Sequence, residues 1–164
     1  MFRRVPCILV GVLFCIGLSG MAREADDPWI RGVFTGKSPR PVVLVETDAW
    51  QRASLVAAKA PYAFVLVGSG QSMLPLYTPG TIMVLQRYPF ELLERGQTVL
   101  YRNHEQKVVA HVLVAKARDG WRVAGLNNRR QDMEPVSADN LVGVVIAAFQ
   151  PLPGTRVQLA ALSR

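Results

Sequence analysis

The chain has 164 residues, half of them hydrophobic and 19% charged, with 19 basic against 12 acidic side chains for a formal net charge of +7. That composition supports one domain with a real core and excludes a disordered chain, while the lack of a repeat period, heptads or low-complexity tracts excludes a solenoid or coiled coil. Both cysteines, Cys7 and Cys15, fall within the first 22 residues, so thiol catalysis, disulfides and cysteine-based metal sites are excluded for the remainder.

Arg3 and Arg4 precede an apolar run from Val5 to Leu18, and the small residues Ser19, Gly20 and Ala22 follow before charge returns at Arg23. Basic residues, an apolar stretch and then small residues make the layout of an export signal. Residues 1–22 are therefore expected to be a signal peptide or an N-terminal membrane anchor. The run falls short of the roughly 20 apolar residues of a bilayer span and contains Pro6, Gly11 and Gly17, which favours cleavage after Ala22 over retention. In either case the arginines stay inside, and the body is expected in the periplasm or at the outer face of the inner membrane. Lipidation of Cys15 is not expected, because Val12, Leu13 and Phe14 ahead of it are not small.

Residues 23–40, rich in Pro, Gly and charge, read as a linker, and residues 41–164 as the folded body. Leaving out Arg3 and Arg4, 17 basic residues stand against 12 acidic ones, a modest excess that suits an anionic membrane surface as partner. Nucleic acid is not an expected partner, since there is no helix-turn-helix pattern, zinc framework or aromatic-basic interleaving.

Pro41 to Glu46 reads as a short buried strand. Thr47 or Asp48 is placed to cap a helix with Ala49, Trp50, Ala53, Val56, Ala57 and Ala60 on one face and Pro61 as its stop. From Tyr62 the pattern changes to short β-branched and aromatic runs: Tyr62 to Val67, Thr81 to Arg87, Gln97 to Arg102, Lys107 to Ala117, Trp121 to Ala124 and Leu141 to Phe149. Pro79-Gly80 and Arg95-Gly96 read as turns ahead of strands, and Asp119-Gly120 as a hairpin signal. The expected fold is mainly β, a coiled sheet or partly open barrel preceded by one short helix.

Between the first of these strands and the Pro79-Gly80 turn lies Gly68-Ser69-Gly70-Gln71-Ser72-Met73-Leu74-Pro75. Its glycines permit an abrupt turn. A loop leaving a strand in this way can project a serine hydroxyl into a cleft and keep backbone N–H groups free for an oxyanion. Most serines in such loops are plain turn residues, so the loop alone does not assign catalysis.

The wider pattern is Ser72-Met73-x-Pro75, Tyr77, Pro79-Gly80, Ile82, Val84, Gly96, Val99 and Tyr101, then Val109-Ala110-His111-Val112, Gly125-Leu126-Asn127-Asn128, Asp132 and Val142-Gly143-Val144-Val145. Over Val67 to Ile146 it resembles the signal peptidase and LexA-like superfamily of serine peptidases. The resemblance implies a sheet of that type, with Ser72 as nucleophile and His111 as general base where many bacterial members carry a lysine. Asp132 matches the acid that follows the Asn-rich turn and would hold the imidazole tautomer; the plainer alternative is an Asp capping a loop beside Arg129 and Arg130. Ser69, Gly70 and Gln71 would support the oxyanion site, and Met73 and Pro75 would face substrate.

An imidazole, ordinarily with a pKa of about 6.5, can accept a serine proton near neutral pH. Lys107 shares the strand face of His111 but lies roughly 13 Å away along it, Lys116 has the opposite parity, and His104 in an exposed turn is the alternative base. Three positions depart from the family pattern. Gly80-Thr81 and Gly96-Gln97 stand where Gly-Asp is common, and Gly70 stands where many lysine-type members carry a serine donor. The expectation is a serine endopeptidase that cuts exported precursor polypeptides after small residues, with no metal or organic cofactor. The alternative motivated by the departures is a non-catalytic, peptide-binding β domain of an envelope complex on the same scaffold.

Overall fold

A computed structural model describes residues 33–153; the expected export segment lies outside them. Its elements are β1 (Val42–Leu44), α1 (Glu46–Lys59), β2 (Ala63–Val67), β3 (Ile82–Gln86), β4 (Thr98–Arg102), β5 (Val108–Ala117), β6 (Gly120–Ala124) and β7 (Leu141–Pro151), with a 3₁₀ turn at Phe90–Leu92. The mainly β expectation with one helix is met.

The strands form one open sheet in the order β2-β3-β7-β4-β5-β6, antiparallel at every step, with β1 added in parallel. β3 runs along one edge of β7 from Val144 to Phe149, so β4 and β1 share the other edge, β4 at Leu141–Val144 and β1 at Phe149–Pro151. Both faces of the central strands are covered, which is why they read as continuous apolar runs instead of alternating ones. Leu100 packs with Met73, Met83, Leu85 and Val112 on one side, while Val99 and Tyr101 pack with Leu113, Trp121 and Val123 on the other.

Three register shifts coil this sheet. Ile146 and Val142 of β7 are passed over in the pairings with β3 and β4, and Val114 of β5 in the pairing with β6. Each such bulge bends its strand and increases the local twist. In a flat sheet β2 and β5 would lie four spacings apart, roughly 19 Å; coiling brings the loop that leaves β2 to the face of β5.

The helix packs differently from expectation at its start. It begins at Glu46 after an extended Val45 that offers no side-chain cap, and Thr47 and Asp48 lie within its first turn. Glu46 and Asp48 instead place acidic groups at the positive end of the helix dipole. Ala49 and Ala53 are fully buried against Ile82, Val84 and Phe149, whereas Trp50 is 42% exposed and off the packed face. Ala60 is extended, as expected of a residue before a proline.

Two further expectations are corrected. Val42 and Val43 of β1 are exposed, because β1 is a three-residue addition to one end of β7 and nothing covers its outer face among the described residues. The end of the expected linker is not loose: Ser38 is buried, its hydroxyl donates to the Gly96 carbonyl (2.8 Å) and lies 2.7 Å from the Thr98 hydroxyl, and Val33 packs against the core. Among the described residues no helix is long and apolar enough to cross a membrane.

β5 and β6 are joined through Arg118 and Asp119, with Ala117 paired to Gly120. Gly120 has a φ of +136°, and a Cβ there would lie 2.3 Å from the Val136 carbonyl oxygen. Gly120→Ala is expected to lower unfolding stability by about 3 kcal/mol, since backbone strain of this kind alone is worth about 1–3 kcal/mol. Gly70→Ala, where a Cβ meets open space, is expected to stay within about 1 kcal/mol of the parent. Urea denaturation of both variants checks the difference.

Candidate active site

The loop from β2 to β3 is clamped at its base, with the Gly68 N–H donating to the Thr81 carbonyl (2.9 Å) and the Gly80 N–H to the Gly68 carbonyl (2.7 Å). Within it, the Leu74 N–H donates to the Gln71 carbonyl (3.1 Å) and the Tyr77 N–H to the Met73 carbonyl (3.0 Å). Met73 and Tyr77 are buried in the core, and the Tyr77 hydroxyl donates to the Pro39 carbonyl (2.8 Å). Ser72 therefore precedes a side chain sunk in the core, and its position is set by packing.

A second loop, between β6 and β7, closes over the first. The Asn127 N–H donates to the Ser72 carbonyl (2.7 Å), and the Asn127 side-chain amide donates to the Gln71 carbonyl (3.2 Å). Further along, the Asp132 N–H donates to the Val123 carbonyl (2.9 Å), and Val136 bridges back to Trp121. The turn expected from Asn127 and Asn128 exists, and it also ties the two loops together.

His111 comes from β5, where it pairs with Val99 of β4 and is buried. Its Nε2 is 3.0 Å from the Ser72 Oγ, and its Nδ1 contacts the Asp132 Oδ2. The Tyr101 hydroxyl donates to that same oxygen. Burial pushes the Tyr101 pKa well above the usual phenol range, and hydrogen bonding to Asp132 with the charges of Asp132 and Glu134 pushes it further. Tyr101 thus keeps its proton and serves as donor. With the carboxylate accepting, a neutral imidazole carries its proton on Nδ1 and leaves Nε2 as an acceptor for the serine hydroxyl.

Ser72 lines a cleft of about 250 Å³. Ser69 and Gly70 form its rim, Val108, Val109 and Ala110 its opposite wall, and Met73, Met83 and Leu100 part of its apolar lining. The N–H groups of Gly70 and Ser72 donate to no backbone or side-chain acceptor among the described residues, so both are available as donors. Among the expected site residues, Gln71 and Pro75 are exposed and outside this lining: the Gln71 carbonyl is occupied by Asn127, and Pro75 follows a cis peptide bond.

The alternative bases lie elsewhere. His104 is exposed beside Glu134 and Glu105, and Lys107 pairs with Glu105 at 2.7 Å. This ion pair holds the Lys107 pKa above and the Glu105 pKa below their ordinary values. Among the described residues no group of three or more His, Cys, Asp or Glu side chains is placed to hold a metal ion.

Two contributors escaped the sequence reading of the site. Tyr101 was visible only as part of the wider pattern, because its reach to Asp132 depends on the β4–β5 register. Gly125 backs the imidazole: a Cβ there would lie 2.8 Å from the His111 Nε2 and 2.7 Å from the Asn128 side-chain nitrogen. The chain matches no known protein-family model and no curated protein.

Gly125→Ala is expected to displace the imidazole and lengthen the Nε2–Oγ separation beyond hydrogen-bond reach, at a cost in stability of about 1–3 kcal/mol because the buried His111 ring must shift. A crystal structure of the variant, with its thermal melt, checks both parts.

Proposed function

We propose that the protein is a serine endopeptidase in which Ser72 is the nucleophile, His111 the general base and Asp132 the group that orients it. One observation carries this reading: three side chains from three separate segments line up as hydroxyl, imidazole and carboxylate, with 3.0 Å between Ser72 Oγ and His111 Nε2. The resemblance of the surrounding pattern to the signal peptidase and LexA-like peptidases supports the same assignment.

The chemistry follows from the geometry. As the Ser72 Oγ bonds to the scissile carbonyl carbon, its proton moves to the His111 Nε2 and the carbonyl oxygen becomes an oxyanion within reach of the free N–H donors of the loop. The imidazolium is stabilised by Asp132 and returns the proton to the departing amine as the C–N bond breaks. Water then attacks the acyl-enzyme with His111 again as base, releasing the acid and restoring the serine.

Extended polypeptide suits the cleft. β6 pairs with β5 only from Val112 onward, so the Val108–Ala110 stretch that walls the cleft has one edge without a strand partner among the described residues. A substrate strand laid along that edge would gain backbone hydrogen bonds. The resemblance implies exported precursors cut after small residues, with the body held beside the membrane.

Ser72→Ala is expected to abolish hydrolysis of a signal-bearing precursor peptide and labelling by a fluorophosphonate, with an unchanged melting temperature. Asp132→Asn, which disturbs the tautomer, is expected to lower kcat by about three to four orders of magnitude. Precursor cleavage that persists in Ser72→Ala sinks the proposal, and a chain that binds such peptides without cutting them is the non-catalytic domain instead.

Gly70 stands where a serine donor is common in the family and has open space beside it. Gly70→Ser is expected to raise kcat by about tenfold, the worth of one added hydrogen bond to a developing charge. Steady-state kinetics on the same peptide reads this directly.

A further inference from the structure

We propose that Tyr101 is a positioning residue, whose hydroxyl fixes the rotation of the Asp132 carboxylate and through it the imidazole that faces Ser72. The inference rests on the serine-peptidase reading above and adds a fourth member to its chain of contacts.

Asp132 sits in a loop without regular structure, held by one backbone hydrogen bond to Val123. That bond places the main chain but leaves the carboxylate free to turn, because the final torsion of an aspartate is broad and roughly two-fold. His111 cannot fix it alone, since the imidazole has a similarly broad torsion and the pair could swing together. Among the described residues the carboxylate receives side-chain donors only from His111 and Tyr101, and both reach Oδ2.

Tyr101 is suited to be the fixed point. Its strand lies between β5 and β7, with Tyr101 paired to Val109 on one side and Leu141 on the other. Its side chain is 2% exposed and packed among Val99, Leu113 and Trp121. The pairing of Val99 with His111 sets the phenol two residues along the same face, with the two ring centroids 6.4 Å apart. Two donors on neighbouring strands therefore converge on one oxygen and define its place by triangulation. Tyr101 makes no hydrogen bond to Ser72 and is absent from the cleft lining, so its influence on the serine passes through Asp132.

The test uses the full-length chain and the second-order rate of fluorophosphonate labelling at Ser72. Tyr101→Phe keeps the ring and removes only the hydroxyl, and labelling is expected to slow about tenfold, the scale of a hydrogen bond to a charged group, while the chain still melts cooperatively at a temperature lowered by only a few degrees. In an Asp132→Ala background the same substitution is expected to have no further effect, because a residue acting through Asp132 loses its target. A second measurement is the proton NMR resonance of the His111 Nδ1–H, expected to move in Tyr101→Phe. Unchanged labelling and an unmoved resonance overturn the inference, as does equal slowing in the Asp132→Ala background, which marks a merely structural role. Undiminished labelling of Ser72→Ala rejects the peptidase reading itself, and with it this inference, whereas its loss beside an indifferent Tyr101→Phe rejects the inference alone.

Discussion

The register between β4 and β5 is the constraint on which the site depends. Pairing Val99 with His111 and Tyr101 with Val109 puts the imidazole and the phenol on one face, two positions apart along neighbouring strands. A slip of one residue would turn His111 to the opposite face, where Ala110 and Val112 pack against Leu100 and Met73. That slip is opposed from both sides of the sheet. It would drive Val112 away from Leu100 in one apolar cluster and Leu113 away from Val99 and Tyr101 in the other. The place of the His111 imidazole is thus specified by hydrophobic packing on both faces of the sheet.

A strand pair supplies His111 but not Ser72 or Asp132, and both of these come from irregular chain. Each irregular segment is secured by a different device. Ser72 is held because Met73 and Tyr77 anchor its loop in the core, and Asn127 joins that loop to the one carrying Asp132. Asp132 raises a separate difficulty, because a largely buried carboxylate is unfavourable unless donors compensate for lost water. Two donors from the sheet meet that requirement, one of them a tyrosine that burial keeps protonated. Satisfying the charge and aiming the imidazole are accomplished by the same contacts.

What could be read in the sequence divides along the same line. The strands and turns were legible because β-branched runs bounded by Pro, Gly, Asn and Asp are local signals, and they begin or end within two residues of the expected places. The start of α1, the exposure of Trp50 and of β1, and the packing of Ser38 were not, since each depends on what lies across from it in space. Ser72, His111 and Asp132 could be named from motif and spacing, yet nothing in the sequence brings residues 39 and 21 positions apart into one line. Tyr101 and Gly125 were harder still. One acts by reach across a register, and the other by the absence of a side chain that would otherwise strike His111.

Thr81, Gln97 and Gly70, where the sequence differs from the pattern it resembles, acquire a physical account from the turns they occupy. Thr81 is fully buried, with its hydroxyl 2.7 Å from the Thr78 carbonyl and 2.6 Å from the Gln150 side-chain oxygen. A carboxylate there would need a buried partner, and a hydroxyl instead joins the loop base to β7 without charge. Gln97 similarly closes its own turn by accepting the Glu94 N–H at 2.8 Å. Neither side chain hydrogen-bonds to Ser72, His111 or Asp132, and both instead tie the turns of the scaffold. Gly70 differs in kind, because it lines the cleft beside Ser72. Of the three departures, it alone borders the cleft, so under the proposed peptidase mechanism it is the one placed to affect how an oxyanion is held.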